Sequence, residues 1–395
     1  MLDGAARLGD LMTECDRAGM PAIAMTDHGN VHGAYDFDLQ ARAAGIKPII
    51  GIEAYVAPGH RADRQPVRWG APAQKDEDVG GAGAYTHLTL LAETTQGLHN
   101  VFRLSSLGWM EGHFRKPRVD AELLARHASG IIATTGCPGG EVQTRLRLGQ
   151  YQQALAAAAR LRDIFGPGNL FVEIMRHDLE IEQRAADGLR RIARDLSLPF
   201  VASNDAHYTR RADAGPHEAL LCVQTATTLA DPARFRFEGS GYYLKSPREM
   251  RGLGADDDWQ AACDATLLIA ERAAARFDRR SLMPGFPLPA GETHEGLLRQ
   301  EVWQGMDRLF PDGYDEERRQ RAEYELKIIE MKEFSSYFLV VADLIGWAKA
   351  SGIRVGLGRR LAGGLRTGHH RAGPGGPRPG LRAVPQPRAH VHARH

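Results

Sequence analysis

The chain is poor in the features that would place it outside a cell. Its four cysteines, Cys15, Cys137, Cys222 and Cys263, are far apart and form no paired spacing. Such a pattern fits reduced thiols in a cytoplasmic protein rather than a disulfide frame. No run approaches the ~18 uninterrupted apolar residues of a membrane span, so no membrane role is expected. Met1 to Arg7 has no apolar segment of a signal peptide. There is no Gly-x-Ser-x-Gly elbow and no P-loop, which argues against a serine nucleophile on a hydrolase elbow and against a Walker-type nucleotide site.

Acidic residues are missing from the end of the chain. Residues 354–395 hold nine arginines and no Asp, Glu or Lys, which leaves 41 basic against 49 acidic residues in 1–353. The body is therefore net acidic and lacks the bulk basic surface of a nonspecific nucleic-acid binder. An acidic body suits a site filled with divalent cations. The stretch after Ile353 is nearly all Gly, Pro, Arg, Ala and His, with no Phe, Tyr or Ile. It cannot build a core. Residues 357–395 are expected to be a disordered tail, of the composition that a shifted reading frame in GC-rich DNA produces.

Apolar periodicity organises the rest. Helical spacing is expected over 5–19, 33–44, 95–109, 150–164, 178–196 and 256–276. Short apolar runs at 22–25, 48–56, 86–91, 130–135, 170–174 and 199–202 read as strands. Residues 57–84, rich in Gly, Pro and charge, read as a loop. Alternating strands and helices imply an α/β fold with a parallel sheet, open or closed into a barrel. Residues 281–292 read as a proline-rich linker. A second domain is expected from 293, with helices at 314–332 and 336–350.

Seven residues able to bind metal sit at or just past the ends of the apolar runs: Asp3, His28, Glu53, His87, Cys137, Asp205 and His207. Side chains at the C-terminal ends of parallel strands converge on one face of a barrel. His28, in Thr26-Asp27-His28-Gly29, follows a strand and is either a ligand or an ordinary turn histidine. Glu53 lies in the apolar run 49–56, where a carboxylate is costly unless paired, metal-bound or reaching solvent. Asp205 and His207 are two apart and point the same way if extended; an Asx-turn is the ordinary alternative. A lone His87 is more often a satisfied core residue. Cys137 is either a thiolate ligand or a buried structural cysteine. Asp3 is most simply a helix cap or a frayed end.

Taken in order, the motifs resemble the N-terminal PHP (polymerase and histidinol phosphatase) domain of bacterial DNA polymerase III alpha subunits, in their actinobacterial form. The matching stretches are MLDGAA (1–6), TDHGNVHGAYDF (26–37), GIKPIIGIEAYVAP (45–58), HLTLLA (87–92), GCPGGE (136–141), SNDAHY (203–208) and DAGPHEALLCVQT (213–225). SSYFLVVADLIGWAKASGIRVG (335–356) resembles the start of that family's palm domain. The resemblance implies a PHP domain over 1–280 and a palm segment over 293–356. The PHP fold would be a distorted (β/α)7 barrel lacking its first strand, because the family's opening His-x-His has no counterpart here. Asp3, His28, Glu53, His87, Cys137, Asp205 and His207 inherit ligand roles for zinc, manganese or iron. Glu53 would bridge two metals, with His87 and Cys137 on one and Asp205 on the other, while Asp3, His28 and His207 would hold a third. Asp205, His207 and Glu53 are the expected catalytic set of a 3′–5′ proofreading exonuclease, impaired here by the missing His-x-His.

The intact enzyme would use magnesium at its polymerase site, deoxynucleotides, DNA primer-template, a sliding clamp and other replisome subunits. This chain is not expected to polymerise: the family's phosphate loop is replaced by Gly356-Leu357-Gly358-Arg359-Arg360-Leu361-Ala362-Gly363-Gly364, and no catalytic aspartates follow it. The alternatives are a free-standing phosphoesterase of the histidinol-phosphatase type and a non-catalytic partner-binding scaffold.

Overall fold

The computed structural model describes residues 4–278, 282 and 284–356, side chains at 75–77 apart. The expectations for Asp3 and for the tail from 357 lie outside those residues. Contacts divide the chain into two compact units, Met1–Asp278 and Arg279–His395.

The first unit carries strands β1 (Ala22–Met25), β2 (Lys47–Val56), β3 (Thr86–Ala92), β4 (Arg118–Val119), β5 (Ile131–Thr134), β6 (Leu170–Ile174) and β7 (Phe200–Ala202). Its helices are α1 (Leu8–Arg17), α2 (Ala34–Ala43), α3 (Gly80–Gly83), α4 (Thr95–Met110), α5 (Ala121–Arg126), α6 (Glu141–Arg147), α7 (Tyr151–Phe165), α8 (Glu180–Leu196), α9 (Ala214–Thr225), α10 (Pro247–Arg251) and α11 (Asp257–Arg272). The strands form one sheet in the order β1-β2-β3-β5-β6-β7, with β4 beside β2. The result is an α/β half-barrel.

The sheet is not all parallel, as the alternation of elements implied. β3 runs antiparallel to both β2 and β5. The connection across 57–84 holds only a 3-10 turn and the four-residue α3, with no crossover helix to pack on the sheet. Val56 therefore pairs with Thr86, the first residue of β3. Also unannounced by periodicity were β4, α5, α6, α9 and α10. Most of these are too short to show a period, and α9 is barely amphipathic.

Side chains alternate cleanly between the two faces of the sheet. Ile23, Met25, Ile50, Ile52, Ala54, Leu88, Leu90, Ile131, Ala133, Leu170 and Val172 face the outer helices in one large core. Ile49, Leu91, Ile132, Phe171 and Val201 face inward and are covered by Ile269, Ala270 and Ala273 of α11 and its C-terminal flank. α11 starts at an N-cap, Asp256, that accepts from Trp259 N at 3.2 Å. At its other end Arg272 donates to Glu93 at 2.9 Å and to Gly168 O at 2.7 Å. This apolar plug closes the lower end of the inner face. The upper end is polar.

The edge of β2 is used along its whole length. β1 pairs with Lys47–Ile50 and β4 with Tyr55–Val56. Between them the turn after β1 continues the ladder: Glu53 N donates to Asp27 O (3.1 Å) and Gly29 N to Glu53 O (2.9 Å). That pairing holds His28 beside Glu53.

The second unit contains α12 (His294–Leu309), α13 (Glu316–Met331) and α14 (Ser335–Ala350), packed around Leu298, Val302, Leu326 and Leu339. α12 was not foreseen as a helix. It is N-capped by Thr293, which accepts from Gly296 N at 3.0 Å.

Candidate metal centre

The polar end of the inner face gathers residues from three strands and the loops above them. Glu53 projects from β2, and its ladder partner is Thr89. His87 is two residues before Thr89, on the same face, so it reaches Glu53 diagonally. His87 Nδ1 lies 2.5 Å from Glu53 Oε1. His28 Nδ1 lies 3.5 Å from the other oxygen, Oε2. Cys137 arrives on the turn after β5, where Gly136 adopts φ +88 and a Cβ would sit 2.7 Å from His87 O. Its Sγ is 3.3 Å from Glu53 Oε1 and 3.5 Å from His87 Nδ1.

One ligand atom each from His28, Glu53 and His87 fall within 4.8 Å of one another. Two imidazoles and one carboxylate around a common point, with a thiol against the carboxylate and one imidazole, are donors that a borderline divalent cation takes. Electrostatics agree with that fit. Burial, then the charges of Glu53, Asp205 and Glu173, push the Cys137 thiol well above its usual range. A bound cation would offset those three negative charges. Glu53 is buried, which by itself would raise its pKa, yet the facing His87 and then His28 hold it below the usual carboxylate range.

Asp205 and His207 stand beside this group. His207 Nδ1 lies 2.7 Å from the carbonyl oxygen of Asp205 and 3.6 Å from its Oδ1. The carbonyl makes Nδ1 the donor and leaves Nε2 free to bind. The His207 and His28 rings are 6.4 Å apart. Burial, and then the charge of Glu53, raise the pKa of Asp205. Of the seven sequence candidates, then, His28, Glu53, His87 and Cys137 form one contact group. Asp205 and His207 form a neighbouring pair, and Asp3 lies outside the described residues. His87 reaches the rim in a different way from that expected. It lies near the start of an antiparallel strand, not at the end of a parallel one.

Three residues that matter here were not singled out from sequence. Glu173 on β6 is buried and accepts hydroxyls from Thr89 (3.1 Å), Ser203 (2.5 Å) and Thr134. Its signal was the one that flagged Glu53, a carboxylate inside an apolar strand. His177 and Lys245 act on Asn204, the residue before Asp205. His177 Nε2 is 3.0 Å from Asn204 O, and its Nδ1 is 2.6 Å from Glu182. Lys245 Nζ donates to Asn204 Oδ1 (2.5 Å), while Asn204 Nδ2 donates to Tyr243 O (2.7 Å) and Gly241 O (3.2 Å). This clamp precedes an Asp205 held at φ +47, a conformation that costs most residues other than Gly, Asn and Asp. No sequence pattern announces such long-range bonds.

A second grouping of His60, Asp120 and Glu122 has ligand spacing. Arg61 fills it, bonding Asp120 at 3.0 Å and Glu122 at 3.2 Å, so a cation is already present.

Comparison with known proteins bears on the whole arrangement. Residues 1–177 match the family described as the PHP domain. Residues 296–365 match the bacterial DNA polymerase III alpha NTPase domain. Three relatives are similar to this chain over most of its length. DNA polymerase III subunit alpha of Mycobacterium tuberculosis is 56% identical over 368 residues, 92% of this chain and 31% of the relative. The chain carries a PHP domain and is similar over most of its length to bacterial DNA polymerase III alpha subunits. The subunit of Mycobacterium leprae is 54% identical over 92% of this chain and 31% of its own length. That of Thermus aquaticus is 36% identical over 92% of this chain and 34% of its own. The chain thus spans about a third of the length of these relatives. Among the described residues no helix is long and apolar enough to cross a membrane.

Proposed function

We propose that the PHP unit, residues 1–280, binds divalent metal through His28, Glu53, His87, Cys137, Asp205 and His207, and hydrolyses phosphodiesters at the 3′ end of a DNA strand. The observation that carries this reading is the convergence of His28, Glu53 and His87 ligand atoms within 4.8 Å, next to Cys137, on a domain shared with replicative polymerases. Zinc, manganese or iron there would supply Lewis acidity toward water and a phosphoryl oxygen.

The chain's own residues set the stage. Glu53 presents one carboxylate oxygen to each of two imidazoles and keeps them on a common point. Asp205 takes the proton of the attacking water at a carboxylate oxygen. His207, oriented through its Nδ1 bond to the Asp205 carbonyl, would hold metal through Nε2. Glu173 stays out of reach of substrate, its oxygens occupied by three hydroxyls.

In the same reading the chain serves as the amino-terminal part of a replicative polymerase. Residues 281–292 are its linker and 293–356 begin the polymerase domain. Magnesium-dependent nucleotidyl transfer, deoxynucleotides, primer-template, the sliding clamp, other replisome subunits and a cytoplasmic location belong to that whole protein.

The test is a purified chain of known metal content, given a primer-template with a mismatched 3′ nucleotide. Chelator-sensitive release of that nucleotide, lost in Asp205→Asn, supports the proposal. Hydrolysis of histidinol phosphate alone would move the assignment to a free-standing phosphoesterase. A fully folded chain that takes up no metal would make the unit a scaffold.

A further inference from the structure

We propose that Lys116 binds a strand phosphate other than the one cleaved, and so directs the centre toward nucleic acid rather than small phosphate esters. This rests on the phosphodiesterase reading above.

Lys116 lies in the short loop between α4 and β4. Two features fix where it emerges. Phe114 N donates to Lys116 O at 3.1 Å. Arg118, two residues on, is buried and donates to four carbonyls: Asp63 (2.6 Å), Arg61 (3.0 Å), Ala84 (3.0 Å) and Gly112 (3.1 Å). Arg118 also pairs with Tyr55 in the β2–β4 ladder. The next link runs to the metal centre itself. Pro117 and Tyr55 press on Gly29, where a Cβ would come within 2.9 Å of each. Gly29 follows His28, so the Lys116–Pro117 segment packs on the turn that carries that candidate ligand.

The ammonium group is held over an aromatic face rather than by an acid. Lys116 Nζ lies 5.4 Å from the centroid of the Tyr55 ring. The same ring stacks on His28 at 5.7 Å and meets His87 edge-on at 5.2 Å. Among the described residues no carboxylate pairs with Lys116. A half-exposed, localised cation without an acidic partner, one ring away from the ligand cluster, is free to take up an anion.

The chemistry gives that anion an identity. The centre is lined by the carboxylates of Glu53 and Asp205, which repel an approaching polyanion. A single phosphate ester needs only the metals. A strand brings at least one more phosphate, which needs a positive group at the rim. Lys116 supplies it.

The experiment measures binding rather than turnover. The manganese-loaded chain is titrated by fluorescence anisotropy against a single-stranded oligonucleotide with phosphorothioate linkages at its 3′ end, over a range of salt. Lys116→Ala should weaken binding several-fold and reduce the slope of log K against log salt by about 0.7, the value of one single-strand phosphate contact. Lys116→Arg should keep most of the affinity, and metal content and inorganic phosphate binding should not change. Wild-type binding that Lys116→Ala leaves intact overturns the assignment alone. So does a Lys116→Ala chain that loses metal or inorganic phosphate as well. A wild-type chain that takes up metal but no oligonucleotide overturns the phosphodiesterase reading and this assignment together.

Discussion

Glu53 and His87 meet at 2.5 Å although neither is the other's partner in the β2–β3 ladder. Glu53 faces Thr89, and His87 faces Tyr55. Their contact is the diagonal one, available only because β3 runs antiparallel and puts its first residues at the rim where β2 ends. A parallel β3 with the same sequence would carry His87 to the opposite end of the inner face.

Glu53→Gln should therefore do more than remove one ligand. It takes the charge that holds both His28 and His87 in register with Cys137. Metal affinity, measured by competition with a coloured chelator, should fall by about tenfold or more. Unchanged affinity would remove Glu53 from the centre.

The clamp on Asn204 gives a second expectation. Asn204→Ala deletes the bonds to Lys245, Tyr243 and Gly241 together. Asp205 should lose its fixed left-handed conformation, and metal affinity should drop while the far-ultraviolet circular dichroism stays native. Cobalt-substituted protein reports this directly, because its visible absorption follows coordination geometry. A spectrum identical to wild type would mean that Asp205 is held by other contacts.

Lys245 also carries a pH signature. Burial lowers its pKa from the usual 10.5 to about 8. Below pH 8 the lysine is charged in folded and unfolded chains alike, and the folded state bears the whole desolvation cost. Between about 8 and 10.5 the unfolded chain binds the proton more tightly, so stability rises with pH through this window. In urea melts of metal-free protein, wild type should gain on Lys245→Met as pH goes from 7.5 to 10. A constant difference across that range would place the charge in solvent.

Covering of the inner face by α11 is tested with Ile269→Ala. Ile269 is buried against Ile49, Leu91, Ile132, Phe171 and Val201 in the inner apolar cluster. Losing it should cost about 2–5 kcal/mol by denaturant melts. A change under 1 kcal/mol would mean that α11 is not part of the core.

Gly97→Ala examines the outer face. A Cβ there would fall 1.7 Å from Gly130 O, a backbone atom that cannot swing aside. α4 would have to lift from the turn before β5, at a cost of about 1–3 kcal/mol, visible as a lower thermal midpoint. An unshifted midpoint would show that the two turns are further apart than 1.7 Å implies.

Much of this was legible along the chain. Six of the seven strands show as apolar runs, because a buried strand must be apolar whatever it pairs with. Glu53 stood out for the same reason, as a charge where burial forbids an unpartnered one. The ligand candidates were readable as chemistry and order, and the family motifs tied them to one domain. Glu173 was equally visible and passed over, since its neighbours gave no second polar cue.

Local sequence could not determine what distant segments do to each other. The direction of β3 depends on how the connection across 57–84 folds, and periodicity is blind to direction. The grouping of His28, Glu53, His87 and Cys137 depends on strand register. The hold on Asp205 depends on Lys245 and His177, which lie 40 and 28 residues from it along the chain. Burial and periodicity are local constraints, written residue by residue. Register, strand direction and a clamp of hydrogen bonds are agreements between segments far apart in sequence, and only the folded chain makes them.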